Sequence, residues 1–211
     1  MPLSALPTFD RPKKNRRGTS LHGFRLRSCT DSREEPEFME TLDVVFANLY
    51  FRALMLHLED PESAPRAWQP LLASRGRRDI AAIQFALAGM NAHVNRDLPV
   101  AVVDTSRKLR VQMDETHHRD YVAINPLLER AQARVKKALA TGLVGVLDKV
   151  LGRIDDVTAI WSLTRARDAA WTHARTLRTI EGFPEVAQAY LLTLDRMVGF
   201  AGRGLLVPTL V

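Results

Sequence analysis

From Glu37 onward, apolar residues return every three or four positions. Leu42, Phe46, Leu49, Ala53 and Leu56 follow this spacing, which predicts an amphipathic helix over 37–58. "EDPESAPRAWQP" ends it, with Pro61 and Pro65 as breakers. A second long helix is expected over 79–96. It should turn at a sharp corner in "NRDLP", where Asp97 caps the next helix and Pro99 sits in its first turn, a position that tolerates proline. "MDETHHRDY" opens a further helical segment, which Pro126 either kinks or restarts with Asn125 as cap. Leu128, Ala131, Val135 and Ala138 continue the period, and Gly142 and Gly145 loosen it. A long helix over 157–180 follows, with Asp155 or Asp156 as cap. "EGFPEV" breaks it, and Val186, Tyr190, Leu194 and Met197 form the last helical face.

No alternating strand pattern of useful length and no internal repeat is present. The expected fold is all-α, a compact bundle of about six to eight helices built from packed apolar stripes. Residues 37–211 form its single domain. Residues 1–36 hold Pro2, Pro7, Pro12 and Pro36 among polar and basic residues without a sustained period, and are expected to be an irregular or disordered basic tail.

Charge changes this picture little. The net charge of the 211-residue chain is +6, of which the first 36 residues carry +4 through eight Lys/Arg and four acids, so the body is close to balanced. "RPKKNRRG" can bind phosphates non-specifically. No aromatic-basic pattern accompanies it, so nucleic acid is not the expected partner. The longest apolar runs are short and interrupted by charges, so no membrane-spanning helix is expected. Cys29 is the single cysteine, which excludes an internal disulfide and a cysteine-based zinc site. With no secretory leader pattern at the N-terminus, the expected location is cytoplasmic.

The candidate chemistry lies in "QFALAGMNAHVNRDLPVAVV". Here Gln84, Asn91, His93, Asn95 and Asp97 are threaded through residues oily enough for a core. On a helix His93 and Asp97 share a face. An imidazole oriented by a carboxylate can act as a general base, and the same pair can supply two ligands to a metal. His117, His118 and Asp120 in "THHRD" add further ligand types, although the spacing matches no specific metal motif. Equally, buried Asn, Gln and His can satisfy backbone groups at helix ends, so the stretch can be a polar lock on one corner.

A second unusual stretch is "DDVTAIWSLTRARDAAWTHAR". Trp161, Arg165 and Asp168 fall on an i, i+4, i+7 line, an arrangement able to hold an anionic or planar ligand, or to seal an ion pair between helices. Asp155–Asp156 lacks the third carboxylate of a "DDxxD" pattern, since position 159 is Ala.

"LDVVFANLYFRAL", "IAAIQFALAGMNAHVNRDLPVAVV", "HRDY", "DDVTAIWSLTRARDAAWTHA" and "GFAGRGLLVP" resemble the family catalogued as domain of unknown function 5995, found mainly in actinobacteria. The resemblance runs from about residue 40 to 208. It implies an all-helical, cytosolic, uncharacterised domain and supplies no catalytic residues. From the residues themselves, the expected function is a small-molecule enzyme with a polar pocket between helices. His93 and Asp97 would be catalytic. Gln84, Asn91, Trp161, Arg165 and Asp168 would bind substrate, with Arg165 as anion anchor. The cofactor is unknown and no metal ligands are assigned. The alternative is a non-catalytic ligand-binding or interaction domain.

Overall fold

The computed structural model describes residues 36–142 and 162–208, with side chains for 36–134 and 162–208. The basic tail, Cys29, Asp155, Asp156 and Trp161 lie outside the described residues. Among the described residues the regular elements are all helical and no strand occurs, as the spacing predicts. α1 is Pro36–Glu59, followed by a 3₁₀ turn at Pro61–Ser63 and the short α2, Gln69–Ser74. Then come α3 (Ala82–Ala92), a π-helical turn (His93–Asp97) and α4 (Leu98–Leu109). α5 is Glu115–Ala123 and α6 is Asn125–Gly142. α7 (Leu163–Thr179) and α8 (Pro184–Leu205) complete the bundle.

The largest core lies where α1 and α7 each pack on α4, around Phe38, Leu42, Leu98, Val102, Tyr121, Trp171 and Ala174. A second core joins Ala53 of α1 to Trp68, Leu72, Ala92 and, on α8, Leu194 and Val198. Between them runs the π turn, which contacts α1, α7 and α8. It is the crossroads of the bundle.

One local signal acts as the sequence predicts. α5 ends before α6 begins at Asn125, so Pro126 restarts the helix. The start of α5 lies in the stretch where a helix is expected, and the structure adds its cap, Asp114, which accepts from the backbone N–H groups of Thr116 and His117.

Other expectations are corrected. The corner at "NRDLP" is absent. Asp97 has helical backbone angles and makes no side-chain cap, and the chain passes from α3 through the π turn into α4. Pro99 has no N–H, and its ring would collide with the Asn95 carbonyl of a regular α-turn. The widened turn relieves this, with the Leu98 N–H reaching back five residues to the His93 carbonyl. The helix expected over 157–180 has its described start at Leu163. Ser162 is extended (φ −107°, ψ 121°) and caps it through its hydroxyl.

α1 has a buried face, as expected, but its outward face is apolar too: Val44, Phe51, Met55 and Leu58 are all exposed. By length and composition, α1 is long and apolar enough to cross a membrane, contrary to expectation. Its other acids, Glu37, Glu40 and Glu59, lie near the ends, and between Thr41 and Leu58 Asp43 and Arg52 are too few to interrupt the apolar run. On α8 the buried face is rotated from the expected one. Val186 and Met197 are exposed, while Leu194, Asp195, Val198, Gly199 and Gly202 face inward. The rotation follows from Gly199, where a Cβ would collide with the Arg66 carbonyl. Only glycine lets the chain before α2 pass so close.

α7 is fastened by Arg167. Its guanidinium donates to the Tyr121 carbonyl (2.6 Å) and to Asn125 Oδ1 (2.8 Å), and lies 4.1 Å from the centre of the Tyr121 ring. The Tyr121 hydroxyl donates back to the Arg167 carbonyl at 2.8 Å. Burial lowers the guanidinium pKa and pushes the phenol well above its usual range. Arg167→Leu would leave those acceptors unpaired and should cost about 3 kcal/mol in urea denaturation. Arg165→Ala, at an exposed site, should stay within about 0.5 kcal/mol of wild type.

His173 pairs with the Tyr190 hydroxyl at 2.7 Å, joining α7 to α8. Burial lowers the His173 pKa from 6.5, so the folded state favours the neutral ring. The unfolded chain then binds the proton more tightly. The stability contribution is complete above pH 6.5 and declines as pH falls towards the lowered folded value. Denaturation midpoints at pH 7.5 and pH 5.5 should therefore differ less in His173→Gln than in wild type.

Candidate functional site: a buried aspartate and a half-exposed histidine

Asp97 is fully buried, yet its carboxylate is surrounded by donors. Arg96 NH1 donates to Oδ1 at 2.8 Å. Trp68 Nε1 donates to Oδ2 at 2.8 Å, and His93 Nδ1 lies 3.1 Å from the same oxygen. A carboxylate only accepts, so the Nδ1 position carries the hydrogen in the neutral ring and the lone pair falls on Nε2. Nε2 has no hydrogen-bond partner among the described residues, and the His93 side chain is 26% exposed. One end of the imidazole is fixed by a buried anion and the other is open.

The ring is held flat as well. Phe46 of α1 stacks on it at 3.6 Å between centroids, with only 7° between the planes. Trp68 (5.9 Å) and Tyr50 (6.2 Å) approach its other sides. The π turn places His93 and Asp97 on one side of the helix in this setting. Single π turns within α-helices occur often at functional sites.

Behind Asp97 lies a second buried carboxylate that the sequence reading missed. Asp195 of α8 accepts the backbone N–H groups of Arg66 (2.8 Å) and Ala67 (3.2 Å). Arg96 Nε sits 3.3 Å from Asp195 Oδ1, an ion pair without hydrogen-bond alignment. One guanidinium thus bridges two buried carboxylates. The available signal was a lone acid between Leu194 and Val198, one turn before Gly199, in an otherwise apolar stripe.

The other predicted residues are placed elsewhere. The Gln84 carboxamide accepts from the Ala81 N–H (2.9 Å) and donates to the carbonyls of Leu205 (2.9 Å) and Val207 (2.8 Å). It starts α3 and holds the end of α8. Asn91 donates to the Val198 carbonyl at 2.9 Å and accepts from Asn95 at 3.0 Å. Both fasten α3 to its neighbours, and their polar atoms are engaged in the fold. Arg165 and Asp168 are exposed, which corrects their expected place in an inter-helix pocket. The buried arginine of α7 is Arg167. It heads the apolar stripe of Ala170, Trp171, Ala174 and Leu177, and that stripe was the signal for the inward face.

His117 is buried with its ring edge on Phe38 (4.8 Å), and its Nδ1 pairs with Asp114 Oδ1 at 2.6 Å. Hydrogen bonds from the His117 backbone N–H, and next from its ring, hold the Asp114 carboxyl below its usual pKa. His118 lies against Trp171 (5.0 Å). The two-histidine, carboxylate set imagined from sequence does not assemble: among the described residues no group of three or more His, Cys, Asp or Glu is arranged to hold a metal ion.

The molecule is therefore an all-helical domain carrying a histidine–aspartate pair on a π turn. A model of the family of unknown function DUF5995 matches residues 25–208, and the chain belongs to that family. No curated protein and no solved structure matches it.

Gly199→Ala forces the Arg66 carbonyl away from α8 and should destabilise the fold by about 1–3 kcal/mol, read from urea denaturation. Gly204→Ala, where a Cβ meets nothing within 4 Å, is the control and should show no loss.

Proposed function

We propose that this chain is a small-molecule enzyme in which His93 is the general base and Asp97 its orienting carboxylate. The observation that carries the reading is the asymmetry of the imidazole: Nδ1 on a fully buried carboxylate, Nε2 open and unpartnered among the described residues. As Nε2 takes a proton from a substrate, positive charge spreads over the ring, and Asp97 at 3.1 Å stabilises it. Arg96 and Trp68 continue to donate to Asp97 as the proton moves. The donors are already in place, so little rearrangement accompanies proton transfer.

Phe46 stacked on the ring and Tyr50 beside it give the imidazole aromatic neighbours suited to an apolar portion of a substrate. Arg165 has no part in this reading. A second reading, a non-catalytic interaction domain, is favoured by the outward apolar faces of α1 (Val44, Phe51, Met55, Leu58) and α8 (Met197, Phe200).

The test is a turnover screen of purified protein against small esters, amides and acidic C–H compounds. His93→Gln should lower any turnover found by about 10²–10⁴-fold while leaving the thermal midpoint nearly unchanged. A folded His93→Gln variant as active as wild type removes the base. A variant that cannot fold shows that the ring is structural, and the interaction reading then takes over.

A further inference from the structure

We infer that Asp195 is a positioning residue for the His93–Asp97 pair, acting from α8 on both of the other donors to Asp97. This rests on the reading of His93 as a base, but it concerns a different link: what keeps the proton on Nδ1.

Asp97 Oδ2 is shared by His93 Nδ1 and Trp68 Nε1, and Oδ1 is held by Arg96. Neither Trp68 nor Arg96 is fixed by its own element alone. Trp68 stands at the end of the non-helical stretch before α2, and the two preceding backbone N–H groups, those of Arg66 and Ala67, are bound by the Asp195 carboxylate. Gly199, one turn further along α8, leaves space for the Arg66 carbonyl. The guanidinium of Arg96 lies between Asp97 and Asp195, donating to one from NH1 and facing the other with Nε. Asp195 thus aims the indole through the backbone and the guanidinium through charge.

The chemical consequence concerns the tautomer. With Trp68 and Arg96 in place, Asp97 is anchored where it accepts from Nδ1, and the lone pair stays on Nε2. If Asp195 loses its charge, Arg96 loses one of its two anions and the Trp68 stretch loses a charged acceptor. Asp97 then has room to turn, the bond to Nδ1 loosens, and the hydrogen can occupy either ring nitrogen. A purely structural Asp195 would lower global stability without altering the proton position in molecules that remain folded.

The experiment is ¹⁵N NMR of the full chain labelled at histidine and at the tryptophan indole, at a pH where His93 is neutral. In wild type, His93 should show a bare Nε2 and a protonated Nδ1, and the Trp68 indole hydrogen should exchange slowly. Asp195→Asn should mix the two ring forms and speed Trp68 indole exchange at least tenfold, and Asp195→Glu should restore part of both. If Asp195→Asn fails to fold, Arg96→Gln reads the same link from the other side and should give the same mixing. A folded Asp195→Asn or Arg96→Gln protein with the wild-type nitrogen pattern and indole protection overturns the inference. That result leaves His93 as base untouched, whereas loss of the base reading through His93→Gln turnover leaves the nitrogen pattern to be judged separately.

Discussion

The structure depends on one buried anion. Asp97 has no exposed surface, and an uncompensated carboxylate there would cost several kcal/mol. Its compensation comes from two parts of the chain. His93 and Arg96 belong to the same π turn, and Trp68 comes from the stretch before α2. Arg96 reaches on to Asp195, so α8 is drawn in as well. One carboxylate thus requires α1, through Phe46 on the His93 ring, the α2 approach, the π turn and α8 to meet at one place. Each donor offsets part of the cost of the buried charge, so the helices that carry the donors are held towards one place.

The π turn is the geometric device that makes this possible. A regular α-helix would direct the Asn95 carbonyl at the ring of Pro99. Widening the turn removes the collision and keeps α3 and α4 in one continuous run, so His93 and Asp97 sit at mid-element and not at a loose corner. Mid-element residues are held by packing on both sides, and a fixed imidazole with one open nitrogen is what proton transfer needs. The same fold also carries buried polar groups whose bonds run to other parts of the chain. Gln84 and Asn91 donate to carbonyls at the end of α8 and within it, and Arg167 donates to Asn125 and to the Tyr121 carbonyl. Side by side, the two types show what separates a lock from a site: whether a polar atom is left over at an accessible edge.

Much of the architecture was legible in the chain. Apolar spacing predicted helices over almost every stretch that the structure describes, and proline marked the start of α6 correctly, because these signals act over one or two turns. The pairing of His93 with Asp97 was legible for the same reason, being an i, i+4 relation on one element. Periodicity failed where two faces of a helix were both apolar or where a small residue decided the packing. On α8 the apolar positions allow more than one inward face, and Gly199 selects among them only because the Arg66 carbonyl arrives there. On α7 a charged residue heads the buried stripe, so a reading that expects arginine outside selected Arg165 over Arg167.

By itself the sequence determined the helical class, most helix limits and a histidine one turn from an aspartate, all of them local properties of backbone preference and residue spacing. Tertiary structure decided which polar groups were spent and which stayed open. It brought Trp68 and Asp195 to the site from 29 and 98 residues away from Asp97, and it exposed Arg165 while burying Arg167. The reason is physical: a hydrogen bond between distant residues depends on how whole helices pack and rotate, and no spacing along the chain encodes that rotation.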